Sequence, residues 1–506
     1  MKMSNSTDVK DSPVDSSQLL RVIGNGTDQE TRIYPENKGS GLKILGRTLS
    51  DGLDHPELWE TWPQFLANFP DVEEFAKQYV ARKVTDGPMD IPLRIANALC
   101  LAYKREISAA IASLEVLRTR TPQTALIQGA MFYVHGMADP TNPIYQLKGR
   151  ICKIPFNRLA VAQGVSRFCC AGWLSTSVGN CFNQPWEDVW NSPKAEAIRA
   201  SIHDGSYRYC KKMLCPWIQS GEISTAEALA VESDDWKEIV TKQKTKIDKG
   251  PEIVGLSYDR SCNLRCPSCR KSAYMADQKT RDQFEELQEK SILPMLHNAQ
   301  MVSLSGSGDP FASRNLRNLV MRLGPEEYPH LRFQIQTNGM LLSRKEWEKF
   351  PNLHGRVEIL RVSIDAATEK THEKLRLGAK WNVMLENMEF FGELKRKGLI
   401  QQFWLAFVVQ QDNYKEMGAA AELAERLGAQ IWFARIANLG TFTEEEYTQR
   451  AVFLRSHPKH TDFLEAMKDP RLLGQHVGLG MVPIMRSISS SQASDENRTA
   501  MQLTLD

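Results

Sequence analysis

The stretch that decides the fold runs Ile253-Val-Gly-Leu-Ser-Tyr258-Asp-Arg-Ser-Cys262-Asn-Leu-Arg-Cys266-Pro-Ser-Cys269. Its first part is a short apolar run of strand length, Ile253–Ser257. Three cysteines then follow at the spacing C-x3-C-x2-C. Three thiolates on one loop can hold three corners of a metal–sulfur cube. They cannot saturate it, so one metal stays open to a non-protein ligand. An open position separates a catalytic metal site from a structural one.

Outward from this loop, residues 251–436 alternate strand and helix. The predicted strands are Ile253–Ser257, Met301–Leu304, Arg332–Gln336, Ile359–Ile364, Phe403–Val409 and Gln430–Ala434. Between them a helical stripe runs through Trp381, Leu385, Met388, Phe391 and Leu394 and closes near Gly398. A second helix is expected over Tyr414 to Leu427, closing at Gly428. Nearly continuous apolar runs such as Phe403-Trp-Leu-Ala-Phe-Val-Val409 suit parallel strands covered on both faces. The expected fold class is therefore α/β, a partial (β/α)6 TIM-type barrel over residues 251–445. Its active site belongs at the C-terminal ends of the strands.

The rest of the chain divides by composition. Residues 1–40 and Ser487 to Asp506 are polar and read as tails, the latter within a C-terminal extension over 446–506. Residues 41–144 read as a helical, tetratricopeptide-like region, with Ile95, Leu99, Ala102 and Tyr103 on one stripe. A further stripe carries Ile107, Ile111, Leu114 and Leu117, and Pro122 opens a third helix through Phe132. Residues 145–220 form a small cysteine-rich module, with a short helix expected over Trp190 to His203. The charged stretch 221–250 reads as a linker.

Composition excludes some functions. Lys+Arg number 63 against Asp+Glu 61, so net charge makes no case for nucleic-acid binding. No run of about 18 apolar residues predicts a membrane span. The N-terminal sequence has no apolar core of a secretory signal, so a cytoplasmic, reducing location is expected. There, grouped cysteines are metal ligands or catalytic thiols more often than disulfides. Nine of the ten cysteines lie between positions 152 and 269. Cys100 stands apart, inside a helical pattern, and reads as a small core residue.

In spacing and placement, Cys262, Cys266 and Cys269 resemble the radical S-adenosylmethionine (SAM) superfamily. Further matches follow at strand ends. Leu304-Ser-Gly306-Ser307-Gly308-Asp309-Pro310 resembles the family's Gly-Gly-Glu-Pro element, with Ser307 and Asp309 replacing Gly and Glu. Gln336-Thr-Asn338-Gly339 resembles its "TNG" element, and Val362-Ser363-Ile-Asp365 its "SIDA" element. The resemblance covers roughly residues 250–440. It implies a 4Fe–4S cluster on the three cysteines, with SAM on the fourth iron. One electron cleaves SAM to a 5′-deoxyadenosyl radical, which abstracts a substrate hydrogen. Gly306, Ser307, Gly308, Asp309, Asn338, Ser363 and Asp365 are the implied cofactor contacts, the glycines being read as positions where a ligand approaches the backbone. Asn338, Ser363 and Asp365 could equally cap a turn or a following helix. The alternative for the cysteine loop is a zinc knuckle with a borrowed fourth ligand.

Upstream, Cys152, Gly164 and Cys169, then Gly179-Asn180 and Trp190, then Cys210 and Cys215, resemble the SPASM/twitch modules of radical SAM enzymes. The resemblance implies an auxiliary 4Fe–4S cluster on Cys152, Cys169, Cys210 and Cys215, with Cys170 able to replace Cys169. Four thiolates suit tetrahedral zinc as well. Cys181 is left over. It is a candidate hydrogen-atom donor to a substrate radical, or else a buried spectator.

The resemblance implies an enzyme fed by a reductase such as flavodoxin or ferredoxin. Its expected substrate is a peptide or protein undergoing maturation. The alternatives are epimerisation or oxidation of a sugar or aminocyclitol, and a non-catalytic zinc or iron–sulfur protein.

Overall fold

The computed structural model describes residues 90–120, 125–304, 307–438 and 440–480, together with Trp59, Trp62, Ala76 and Lys77. The two tails, most of 41–89, Pro122 and Gly306 lie outside the described residues. The chain divides into two compact units. One takes the described residues up to Arg150 and Ser201–Thr225; the other takes Ile151–Ala200 and the described residues from Ala226 onward. This division cuts through the segment 145–220.

In the first unit, helices run over Asp90–Tyr103, Ile107–Arg120 and Ala125–Ala138. Ile95, Leu99, Ala102, Leu114 and Leu117 are buried, as their spacing predicts, with Trp59 and Trp62 in the same core. Cys100 is a member of that core. Residues of the 201–225 segment belong to this unit: Tyr207 donates its hydroxyl to the Arg150 carbonyl at 2.9 Å, and Arg150 Nη1 donates to the Ile223 carbonyl at 2.8 Å.

The second unit is built on one nine-stranded sheet in the order β2-β1-β3-β4-β5-β6-β7-β8-β9. β1 is Arg158–Ala162 and β2 Val165–Arg167. β3 is Ile253–Ser257, β4 Met301–Leu304, β5 Arg332–Thr337 and β6 Val357–Ser363. β7 is Ile400–Val409, β8 Gln430–Arg435 and β9 Val477–Gly478. The six predicted strands are β3 to β8, each pair of neighbours parallel. Helices connect them, including Trp381–Arg396 and Met417–Leu427, which ends at Gly428 with φ +66°. The sheet does not close: β2 and β9 are its edges. This is the partial barrel expected of the fold class.

Three strands go beyond the prediction. β1 pairs in parallel with β3, and β2 returns antiparallel to β1 through a turn at Gly164, φ +74°. Residues 151–200 thus extend the barrel sheet. Arg199, fully buried, fastens them. It donates to the carbonyls of Pro155, Trp190 and Thr245 and to the Asn191 side chain at 2.8–2.9 Å. Its guanidinium lies 4.4 Å from the Trp190 ring and 4.9 Å from Phe168. Burial lowers its pKa to about 9, so the charge survives at neutral pH. The helix read over Trp190 to His203 is present as Pro193–His203. The stretch 221–250, read as a linker, carries helices Ala226–Ala230 and Asp234–Thr241. Trp190 Nε1 donates to the Lys249 carbonyl at 2.8 Å, which ties its end down.

Candidate functional site at the ends of the parallel strands

The cysteine loop leaves β3 through Tyr258 and Asp259, both buried. Asp259 accepts the Ser261 backbone N–H at 2.8 Å and the Ser313 hydroxyl. The Cys262 N–H donates to the Tyr274 carbonyl at 2.8 Å, closing the loop on itself. The N–H groups of Cys269 and Arg270 both donate to the Cys266 carbonyl, so Cys266–Cys269 forms one tight turn. The Arg265 N–H donates to the Leu377 carbonyl at 3.1 Å. The loop is therefore held at both ends and in the middle before any ligand binds.

The thiols sit in a polar shell suited to thiolates. Cys262 Sγ accepts from the Leu264 N–H at 3.5 Å and from Asn338 Nδ2 at 3.7 Å. Cys269 Sγ accepts from the Arg270 guanidinium at 3.6 Å. Burial pushes the free thiols of Cys262 and Cys266 upward, and Arg270 and Arg376 respectively oppose it. N–H donors to sulfur and nearby cations are what tune iron–sulfur clusters. No group of three or more His, Cys, Asp or Glu side chains among the described residues is gathered as a single-ion site. Cube ligands bind separate iron atoms, so the loop is matched to a cluster by its donors and spacing rather than by convergence on one point. On those grounds it fits a three-cysteine cluster.

The expected cofactor contacts resolve differently from one another. Asp309 is fully buried, and its carboxylate is spent on protein. It accepts the Asn338 N–H at 2.7 Å, the Thr337 hydroxyl at 2.8 Å and the Phe311 N–H at 3.0 Å. Burial raises its pKa, and these donors pull it back. Its own N–H donates to the Ser261 carbonyl at 2.8 Å, so Asp309 joins the ends of β4 and β5 to the cysteine loop. Ser307 gives its hydroxyl to the Ser257 carbonyl at 2.5 Å and its carbonyl to Arg270. Gly308 has a reason within the protein itself. A Cβ there would stand 2.5 Å from the Ser261 carbonyl oxygen and 2.8 Å from that of Asp259. The loop's own backbone requires the glycine.

Asn338 bridges to the loop, donating from Nδ2 to Asn263 Oδ1 at 2.8 Å while its Oδ1 accepts the Met340 N–H at 2.9 Å. Ser363 is half-buried at the end of β6 and accepts from Gln336 Nε2 at 3.5 Å. Asp365 is buried with φ +53°, and its carboxylate takes the Val408 N–H at 2.7 Å and Arg376 Nη2 at 2.8 Å. Cys262, Cys266, Cys269, Asn338 and Asp309 thus come together, and Arg270, Asn263 and Arg376 join them. Arg270 has a signal in sequence, standing directly after Cys269. Arg376 has none, because its partner Asp365 is eleven positions away with no characteristic spacing.

The upstream cysteines fall in both units. Cys152 and Cys169 are half-buried beside β1 and β2, and Cys170 is exposed. Cys210 and Cys215 each close a turn, donating backbone N–H groups to Tyr207 and Lys211. Cys181 is buried, with Ser166 Oγ 3.2 Å from its sulfur. Its carbonyl accepts from Ser291, just past the helix Gln278–Leu287, at 3.3 Å.

Comparison with known proteins agrees with this arrangement. Residues 257–424 match the model of the radical SAM superfamily, and residues 152–216 match the SPASM iron–sulfur cluster-binding domain. The first match opens at the end of β3, five residues before Cys262; the second opens on Cys152 and closes just past Cys215. Residues 257–424 thus form a radical SAM domain, with a SPASM domain ahead of it in the sequence. These two domains imply a SAM-binding 4Fe–4S cluster, auxiliary iron–sulfur binding, and a reductant. The chain is also similar to the AdoMet-dependent heme synthase of Nitratidesulfovibrio vulgaris (strain Hildenborough), 23% identical over 182 residues, which is 36% of this chain and 47% of the relative. The heme synthase of Oleidesulfovibrio alaskensis (strain G20) is 25% identical over 213 residues, 39% of this chain and 50% of the relative. The chain spans about half the length of these curated relatives. Among the described residues no helix is long and apolar enough to cross a membrane.

Proposed function

We propose that this chain reductively cleaves SAM and abstracts a hydrogen from a peptide or protein substrate during its maturation. The observation that carries the reading is the Cys262–Cys269 loop, pinned at the C-terminal end of β3 with Asn338 and Arg270 donating to its sulfurs. Cys262, Cys266 and Cys269 would hold the SAM-binding cluster, and together the cluster and SAM supply reductive cleavage and hydrogen abstraction. The chain's own residues hold that loop. Asp309 and Gly308 fix its backbone, and Asn338 orients Cys262. The Ser363 hydroxyl proton remains for a bound ligand, and Gly306 is retained as a cofactor contact on its motif alone. Cys152, Cys169, Cys210 and Cys215 would be the auxiliary ligands, a reading supported by their lying within the SPASM match. A SPASM domain suits polypeptide substrates, and the helical unit offers a surface for one.

A second reading rests on the two similar heme synthases: a substrate on the route to heme. Anaerobic turnover with SAM and dithionite separates the classes. A mass change in a precursor peptide encoded beside the chain supports the first reading, appearance of heme absorbance supports the second, and a change in a carbohydrate alone overturns both.

A further inference from the structure

Arg376 is a buried cation beside the cysteine loop that the proposed reaction does not use. Its side chain is more than nine-tenths buried. Arg376 Nη2 meets Asp365 at 2.8 Å, while Nε is buried with no hydrogen-bond partner. An unpaired donor in such a place is costly unless a ligand completes it.

The surroundings say which ligand. The backbone after Arg376 lies along the cysteine loop: the Leu377 carbonyl takes the Arg265 N–H, and Ala379 packs with Cys262, Leu264 and Cys266. Burial opposes the charge on Arg376, and Asp365 and the thiols of Cys266 and Cys262 more than restore it. One side of the guanidinium is thus taken by a carboxylate, and its buried Nε–H is left over on a segment whose backbone lies along the cysteine loop.

Asp365 is fixed for this task. It holds a left-handed backbone, φ +53°, which a non-glycine residue adopts only at a cost. Two bonds enforce it: the Val408 N–H to its carboxylate at 2.7 Å, and Asn413 Nδ2 to its carbonyl at 2.9 Å. The second carboxylate oxygen is left for Arg376.

We propose that Arg376, held by Asp365, is a positioning residue of the Cys262/Cys266/Cys269 cluster, donating its Nε–H to the sulfur shell at Cys266 and raising the cluster's reduction potential. The inference rests on the cluster reading of that loop. A cation here favours the more negative, reduced cluster, as does a donor to sulfur.

The test is an EPR-monitored redox titration of the reconstituted full chain without SAM, with the auxiliary cluster as internal reference. Arg376→Gln should lower the potential, cutting the reduced-to-oxidised ratio at the wild-type midpoint roughly tenfold, about 59 mV for one electron. Arg376→Lys keeps the charge and should shift it less. Asp365→Asn leaves the cation uncompensated and should raise the potential. Opposite signs are not produced by general loosening. If Arg376→Gln fails to hold iron, Asp365→Asn decides alone. An unshifted potential in variants with intact clusters overturns the role of Arg376 and leaves the cluster reading standing. A wild-type chain that binds no cluster at Cys262, Cys266 and Cys269 overturns both.

Discussion

The carboxylate of Asp309, at the end of β4, accepts the backbone N–H of Asn338, at the end of β5, at 2.7 Å. That bond sets where Asn338 stands, and Asn338 in turn donates to Cys262. The residue in the position of the family's Glu therefore acts on the cysteine loop through protein.

Asp309→Asn should test this link. The amide replaces an acceptor oxygen with a donor facing either the Asn338 N–H and the Thr337 hydroxyl, which share Oδ2, or the Phe311 N–H, which uses Oδ1. Losing a buried hydrogen bond to a charged group costs about 1.5–3 kcal/mol. Urea unfolding should show a loss of that order, and iron content at Cys262, Cys266 and Cys269 should fall. Unchanged stability and iron content would show that Asp309 does not organise the site.

Gly308→Ala should be more damaging than a typical glycine substitution. The added Cβ meets fixed backbone at 2.5 Å and 2.8 Å, with no flexible side chain to move aside. The variant should fold its helical unit and fail to load the SAM-binding cluster, measured as iron and acid-labile sulfide. Normal loading would place the loop backbone elsewhere.

His372 makes stability depend on pH. It is fully buried, with Nδ1 bonded to the Ile364 carbonyl at 2.8 Å. Burial, then the Arg376 charge, lowers its pKa to about 4, while Asp365 and Glu373 act the other way. Between its unfolded value near 6.5 and about 4, the unfolded chain binds the proton and the native chain does not, so stability falls as pH falls through that window. At pH 5 this costs about 2 kcal/mol relative to pH 7.5, taking 1.36 kcal/mol per pKa unit. Urea midpoints at the two pH values should show it, and His372→Gln should flatten the difference. An equal slope in both proteins would remove His372 as the cause.

Cys181→Ala should retain turnover. The thiol is buried against Ser166 and its pKa is raised by burial, which suits a packing role. Retained SAM cleavage with lost or altered product would instead assign it the hydrogen-donor role.

Much of the barrel was legible because β3 to β8 alternate with helical patterns along the chain, and β7 carries a nearly continuous apolar run. β2 and β9 are three and two residues long, too short for periodicity, and β1, as long as β3, lies outside that alternation within the cysteine-rich segment; all three are defined by their neighbours in the sheet. The cysteines were legible because cluster ligands sit at fixed local spacing. The Asp309 bonds were not, because they join separate strand ends that only folding brings together, and the Asp365–Arg376 pair was not, because the helix Glu369–Leu375 between them sets a separation with no characteristic spacing. Gly308 was legible as a required glycine, while the loop contact that requires it was not, since sequence does not show which backbone packs against it.

The central claim is tested most directly by 5′-deoxyadenosine release from SAM after anaerobic reconstitution with iron and sulfide, using dithionite as reductant. The wild-type chain should release it, and Cys266→Ala should release none while keeping the auxiliary cluster's absorbance. A chain that binds stoichiometric zinc, resists cluster assembly and leaves SAM intact would contradict the account.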